Sequence, residues 1–145
     1  MERAILDGTE LDFDVHGTGE PVLLIHGNYI SDAFAPVLAE PVLTDQYRLI
    51  TYHRVGHGGS THPTEPVSIA QQAEHARRLL QHLGFSGAHV VGYSYGGAIA
   101  LQFAREAPPG CPFTGAPGAG SIRGAHRRAL PADAGTSVRH VRGRR

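Results

Sequence analysis

Runs of apolar residues predict five strands in the first 107 residues of the chain. Two weakly alternating runs flank Asp7-Gly8, a dipeptide typical of hairpin turns. The run 21–25 is continuously apolar, as in a strand of a parallel sheet that is buried on both faces; 47–52 is rich in β-forming residues, and 88–91 ends in the apolar pair Val90-Val91. The five predicted strands are 4–6, 11–15, 21–25, 47–52 and 88–91.

Helical periodicity lies between and after these strands. Apolar residues recur three or four positions apart from Pro66 to Gly84, with Ser68 as the predicted N-cap and Gly84 just past the end. Another helix is predicted from Ala98 onward, and a third over 33–43, where two prolines would shorten or kink it. Strand and helix thus alternate, which predicts an α/β fold with a mostly parallel sheet and helices on both faces.

A change in composition near Pro108-Pro109 divides the chain into two parts. Residues 1–107 contain six arginines and twelve acidic residues, a balance of −6, whereas residues 108–145 contain seven arginines and one acidic residue, a balance of +6. Five of the ten prolines and seven of the nineteen glycines also lie in this second part. We therefore expect a folded domain over 1–107 and a disordered Pro/Gly/Arg-rich tail over 108–145.

Composition also limits where the protein is expected to work. No apolar run reaches the length of about 18 residues that a membrane-spanning helix needs, and the N-terminus lacks the pattern of a secretory signal. The single cysteine, Cys111, can form neither an internal disulfide nor a metal-binding cluster. The sequence therefore predicts a cytoplasmic protein with no metal and no membrane partner.

The predicted strand at 88–91 runs into the final helix with almost no loop, and Ser94 lies at the corner. Gly92 and Gly96 stand two positions before and two positions after this serine, which gives the pattern G-x-S-x-G. A serine on so tight a turn takes a strained conformation with φ above zero, and flanking glycines let strand and helix approach closely. The hydroxyl would then project above the sheet edge, beside the free N–H groups of the helix N-terminus.

The segment Gly92-Tyr93-Ser94-Tyr95-Gly96 resembles the nucleophile elbow of the α/β-hydrolase family, which implies that Ser94 is the catalytic nucleophile. His26-Gly27-Asn28, after the third strand, resembles the family's oxyanion loop. The resemblance implies that the backbone N–H groups of Asn28 and Tyr95 bind the oxyanion. His26 is interpreted as a structural residue that ties down this loop, without an acid–base role.

The loop after the fourth strand, His53 to Ser60, is similar to the family's R-x-G-x-G-x-S loop. We interpret it as a Gly-rich turn that lets the backbone pass beneath the elbow; the alternative is a loop that shapes the substrate pocket. It has neither the glycine spacing nor the lysine of a P-loop, so nucleotide binding is not expected. No ligand or base role is expected for His57.

The resemblance covers residues 3–107, the N-terminal half of a family member, and implies a partial α/β-hydrolase fold. The family's later strands, catalytic acid and catalytic histidine are not recognisable. Asp133 and His140 follow Ser94 in the family's order, but no predicted strand holds either of them. Codons for the residues from Cys111 onward, read one nucleotide forward, can encode an apolar strand ending in Glu-Pro. We therefore expect a truncated or frameshifted chain; the alternative is a natural disordered basic tail.

The resemblance implies a serine hydrolase that cleaves small carboxylic esters or related acyl compounds without a cofactor, and that is weakly active or inactive in this truncated form. A serine at the elbow argues against the dehalogenases and epoxide hydrolases of the same fold, which use an aspartate there. Two alternatives stay open: a non-catalytic binding protein on this scaffold, and a nucleic-acid binder that uses the arginine-rich tail. The tail lacks tyrosine and tryptophan for stacking on bases, which disfavours nucleic acid as a partner.

Overall fold

The computed structural model of the chain describes residues 1–107, which form one five-stranded sheet with helices on both faces. The strands are β1 (Glu2–Leu6), β2 (Thr9–His16), β3 (Glu20–Ile25), β4 (Tyr47–Tyr52) and β5 (His89–Gly92). The helices are α1 (Ala35–Leu38), α2 (Pro41–Thr44), α3 (Ile69–His82) and α4 (Tyr95–Arg105). The predictions for the tail, including those for Cys111, Asp133 and His140, lie outside the described residues.

The strand order is β1-β2-β4-β3-β5, and β3 lies between the two strands that run parallel to it. Leu23 of β3 is paired with Ile50 on one side and with Val90 on the other, and its side chain is fully buried. The β1–β2 hairpin adds antiparallel strands to the far edge through the β2–β4 pairing. The predicted α/β class with a mostly parallel sheet is thereby confirmed.

Two apolar clusters cover the two faces of the sheet. The larger one packs α3 and α4 against the sheet through residues such as Leu79, Ile99 and Phe103, each 1% exposed or less. The smaller one joins Leu24 and Phe34 beneath α1 and α2. Within residues 1–107, β5 is paired with β3 alone, so the sheet continues no further on that side.

The helix boundaries differ from the sequence predictions in two places. The helix predicted over 33–43 consists of two single turns, because Glu40 takes the extended conformation that a following proline favours and Pro41 then begins α2. Helix α4 begins at Tyr95, three residues earlier than predicted, since its glycines pack closely against neighbouring backbone. The Ser68 N-cap of α3 is confirmed: its side chain forms a capping box with Gln71.

No helix in the described part of the chain is long and apolar enough to cross a membrane.

Candidate functional site

Ser94 lies at a sharp corner between β5 and α4. Strand β5 ends at Gly92 and α4 begins at Tyr95, so two residues make the whole connection. Ser94 has φ 53° and ψ −120°, and Asp7 is the only other non-glycine residue with positive φ in residues 1–107. The Tyr93 N–H donates to the carbonyl of Ile25 at 2.9 Å, which ties the corner to the end of β3. The turn is therefore a strained one held by its surroundings.

The two glycines that flank Ser94 permit a backbone-to-backbone contact. A Cβ atom on Gly92 would lie 2.3 Å from the Gly96 carbonyl oxygen, and one on Gly96 would lie 2.1 Å from the Ile25 carbonyl oxygen. Any side chain at either position would overlap main-chain atoms that cannot move independently. The helix can thus start directly against the sheet only because both residues are glycine.

The loop after β3 lies against this corner. A Cβ atom on Gly27 would lie 3.1 Å from Ser94 Cβ, so the His26–Asn28 segment passes beside the serine. Asn28 and Tyr95 line one cavity of about 310 Å³, together with Arg54 and His57. The structure therefore brings Ser94, Asn28 and Tyr95 to the same end of the sheet, while their catalytic roles stay predictions.

The buried side chain of Arg54 hydrogen-bonds to several residues at this end of the sheet. Its side chain is 3% exposed, and its guanidinium donates to the carbonyls of His26 (3.1 Å) and Gly27 (2.9 Å). It also donates to Asn28 Oδ1 at 2.8 Å and to Oε1 of the buried Gln72, and its Cζ lies 5.1 Å from the centre of the Tyr95 ring. One side chain thus contacts both the His26–Asn28 segment and the start of α4.

The His26 ring is buried and uses both nitrogens on the main chain. Nε2 accepts from the Arg54 N–H at 3.0 Å, so Nδ1 holds the proton and donates to the Gly27 carbonyl at 2.6 Å. Burial lowers the pKa of His26 to about 4, and the Arg54 charge acts in the same direction. A neutral ring with both nitrogens occupied supports the structural interpretation and leaves no site for acid–base chemistry.

The pKa of His26 predicts a pH-dependent stability. Because the unfolded histidine titrates near 6.5 and the folded one near 4, the neutral ring's contribution is complete above pH 6.5 and is lost as pH falls towards 4. We expect the wild type to lose up to about 3 kcal/mol more than His26→Gln between pH 7.5 and 4, measured by urea unfolding. Glutamine keeps an acceptor for Arg54 N–H but does not titrate. Parallel losses in the two proteins would contradict the prediction.

The Gly-rich loop after β4 approaches the hairpin instead of passing beneath the elbow. A Cβ atom on Gly59 would lie 2.1 Å from Asp12 Oδ2, and the Ser60 hydroxyl accepts from the Asp12 N–H at 3.0 Å while donating to the His53 carbonyl. Gly56 and His57, earlier in the loop, line the cavity. The loop backbone lies against β2, since His53 N–H donates to the Asp12 carbonyl at 2.8 Å and Thr61 N–H to the Glu10 carbonyl at 2.9 Å. The first half of the loop also fits the pocket-shaping alternative.

Gln72 was not singled out by the sequence, and Arg54 was recognised only as the first residue of the R-x-G-x-G-x-S loop, without a role of its own. Arg54 lies two residues after the end of the buried strand β4. Gln72 lies on the apolar stripe of α3, beside Ala73 and Ala76. A polar side chain on a buried helical stripe implies a hydrogen-bonding partner in the interior. Which residue is that partner depends on the pairing of β4 with β3, and strand pairing cannot be predicted from a local sequence pattern.

A general base for Ser94 is missing from the described residues. Over 1–107, no histidine or carboxylate lies within hydrogen-bonding distance of the Ser94 hydroxyl; His57 Nε2 instead meets the Asn28 carbonyl at 3.0 Å. Nor does this part of the chain group three or more His, Cys, Asp or Glu side chains in a way that could hold a metal ion. Ser94 itself is exposed to solvent.

Comparison with known proteins finds the same fold repeatedly. A sequence model of the alpha/beta hydrolase fold matches residues 20–112. The chain is 35% identical over 106 residues to the dihydrolipoyllysine-residue acetyltransferase component of the acetoin cleaving system of Cupriavidus necator, covering 72% of this chain and 28% of that protein. A thermophilic esterase from Thermogutta terrifontis is similar in structure, with a TM-score of 0.67 and 32% identity over 73% of this chain and 41% of the esterase.

An N-acyl homoserine lactonase is similar to the same extent, with a TM-score of 0.65 and 29% identity over 72% of this chain and 39% of the lactonase. The chain thus spans 28% to 41% of the length of these three proteins.

Proposed function

The chain belongs to the alpha/beta hydrolase fold family, and on that basis we propose that Ser94 is the nucleophile of a serine hydrolase for small carboxylic esters or related acyl compounds. The observation that supports this most directly is the corner at Ser94, with φ 53° between a strand end and a helix start. Such strain is maintained only where the surroundings over-determine it, and it presents the hydroxyl to incoming substrate.

The proposed chemistry is acyl transfer to the serine. Ser94 Oγ attacks the ester carbonyl, the carbonyl oxygen becomes an oxyanion, and collapse of the tetrahedral intermediate expels the alcohol and leaves an acyl-serine for water to cleave. We assign the oxyanion to the N–H groups of Asn28 and Tyr95. Within residues 1–107 neither N–H donates to a backbone carbonyl, and Tyr95 stands at the start of α4, where helix N–H groups are free.

The substrate class follows from the nucleophile and is supported by the similar proteins. A serine nucleophile suits acyl carbon, and both an esterase and an N-acyl homoserine lactonase are similar to this chain. The cavity beside Asn28 and Tyr95 is lined by polar side chains such as Arg54 and His57 as well as by prolines and Val67. It would suit a compact, partly polar ester better than a long aliphatic one.

Replacement of Ser94 tests the proposal. We expect the full chain to release p-nitrophenol slowly from p-nitrophenyl acetate and Ser94→Ala to show only the rate of the buffer. Ser86→Ala is the matched control: Ser86 precedes β5 at the opposite end of the strand, so its loss should leave turnover unchanged. Equal turnover by wild type and Ser94→Ala would refute the assignment of Ser94.

A non-catalytic binding protein on this scaffold is the second candidate, favoured by the lack of a base beside Ser94 within residues 1–107. It predicts that wild type and Ser94→Ala bind a non-hydrolysable acyl analogue equally and that neither turns over the ester. Ser94-dependent turnover would exclude this candidate.

A further inference from the structure

Arg54 is a buried cation without a carboxylate partner among the described residues. Its guanidinium is surrounded by two backbone carbonyls, two side-chain amide oxygens and the face of the Tyr95 ring, and no ion pair within residues 1–107 includes it. Burial lowers the pKa of Arg54. Keeping a charge in the interior without an opposite charge is costly, since neutral acceptors only partly replace water.

The guanidinium connects the two segments that hold the proposed oxyanion donors. On one side it donates three hydrogen bonds that hold Asn28 in place: two to the carbonyls of the two preceding residues and one to Asn28 Oδ1. On the other side it stacks on Tyr95, the first residue of α4. The planar fork of arginine can hold these partners at once, whereas a lysine ammonium can reach only some of them.

We propose that Arg54 is the positioning residue of the oxyanion hole, and that its charge is left without a carboxylate so that it favours an anion held between Asn28 and Tyr95. This inference rests on the proposed function of Ser94. It explains why the acceptor supplied by α3 is the amide of Gln72 and not a carboxylate, because a glutamate there would neutralise the guanidinium. It also explains why so many donors of one side chain converge on a single short loop.

A fluorophosphonate measures this role on the full chain, because its reaction forms a tetrahedral adduct at the nucleophile. The Ser94 Oγ–P bond forms, the P–F bond breaks, fluoride leaves and the hydroxyl proton passes to the buffer. The labelling rate at saturation (kinact) reports stabilisation of the transition state, in which the phosphoryl oxygen gains negative charge, whereas the half-saturating concentration (KI) reports ground-state binding. Mass spectrometry of the labelled peptide identifies the residue that has reacted.

Two variants distinguish the effect of the guanidinium's geometry from the effect of its charge. Arg54→Lys keeps the charge but loses the fork, and we expect kinact to fall about 100-fold with KI changed by no more than about twofold. Gln72→Glu keeps the acceptor for Arg54 and nearly the same shape, but it neutralises Arg54 and loses the Nε2 donor to the Val67 carbonyl (3.1 Å); we expect kinact to fall about tenfold. A purely structural Arg54 would tolerate the added ion pair, and thermal unfolding of Gln72→Glu measures the cost of the lost contact with Val67.

The outcomes distinguish this inference from the proposed function. A wild type that is not labelled at Ser94 refutes the proposed function, and this inference with it. A labelled wild type with unchanged kinact in folded Arg54→Lys and Gln72→Glu overturns the role of Arg54 alone. If thermal unfolding shows that Arg54→Lys does not fold, Gln72→Glu decides: a lower kinact supports the role of the charge, and a kinact equal to that of the wild type overturns it.

Discussion

Gly96→Ala is expected to lower the free energy of unfolding by about 4 kcal/mol, a large part of the roughly 5–15 kcal/mol of an ordinary domain. The added Cβ would lie 2.1 Å from the Ile25 carbonyl oxygen and 2.6 Å from that of His26. Both atoms belong to the main chain at the end of the central strand, so no side chain can turn aside to make room. Urea unfolding followed by circular dichroism measures the loss.

Gly84→Ala is the control for this substitution. Gly84 has φ 78° with nothing within 4 Å of its Cβ position, so alanine there meets only the cost of a left-handed backbone, about 1–2 kcal/mol. Gly96 does not have a positive φ, so the loss of stability in Gly96→Ala comes from steric overlap alone. An equal loss of stability in the two variants would mean that α4 does not approach β3 as closely as the structure has it.

The strands could be predicted because strands buried on both faces and strands buried on one face have different hydrophobic patterns. Continuous apolar residues in β3 reflect burial on both faces, and the alternation in β1 and β2 reflects a hairpin with one covered face. The start of α4 could not be located in the same way, since glycine has poor helix propensity and the close approach of Gly96 to the end of β3 is a tertiary contact. Tertiary contact overrode local preference there.

From local sequence pattern, the candidate site was predictable only where its residues are neighbours in sequence; the pairing of Asn28 with Tyr95 was implied by the family resemblance. The spacing of glycines around Ser94 marks the corner, because the strained serine and the two glycines that permit the tight turn lie within five residues. The hydrogen bonds of Arg54 join residues that are 18 to 28 positions apart, and they exist only because β4 pairs beside β3. Sequence periodicity indicates that such a polar group is buried, but not which loop it holds.

The surroundings of Ser94 lead to the last prediction, which concerns its reactivity. Ser94 is exposed, and no side-chain base among residues 1–107 bonds to its hydroxyl. Both nitrogens of the nearby His26 are occupied, and His57 Nε2 meets the Asn28 carbonyl. A serine hydroxyl without a base is a weak nucleophile that reacts through its small ionised fraction.

We therefore expect the Ser94-dependent hydrolysis of p-nitrophenyl acetate to rise about tenfold per pH unit from pH 7 to 9, without the plateau that an imidazole base produces near its pKa. The absolute rate should be about a thousandfold or more below that of an intact serine–histidine–acid triad, since only the oxyanion donors and binding contribute. Subtracting the Ser94→Ala rate at each pH removes direct attack by hydroxide. A plateau with a midpoint near pH 6.5 to 7 would show that a histidine acts as base. His140→Ala should then abolish the plateau and His26→Gln should not, because the ring of His26 is committed to the main chain.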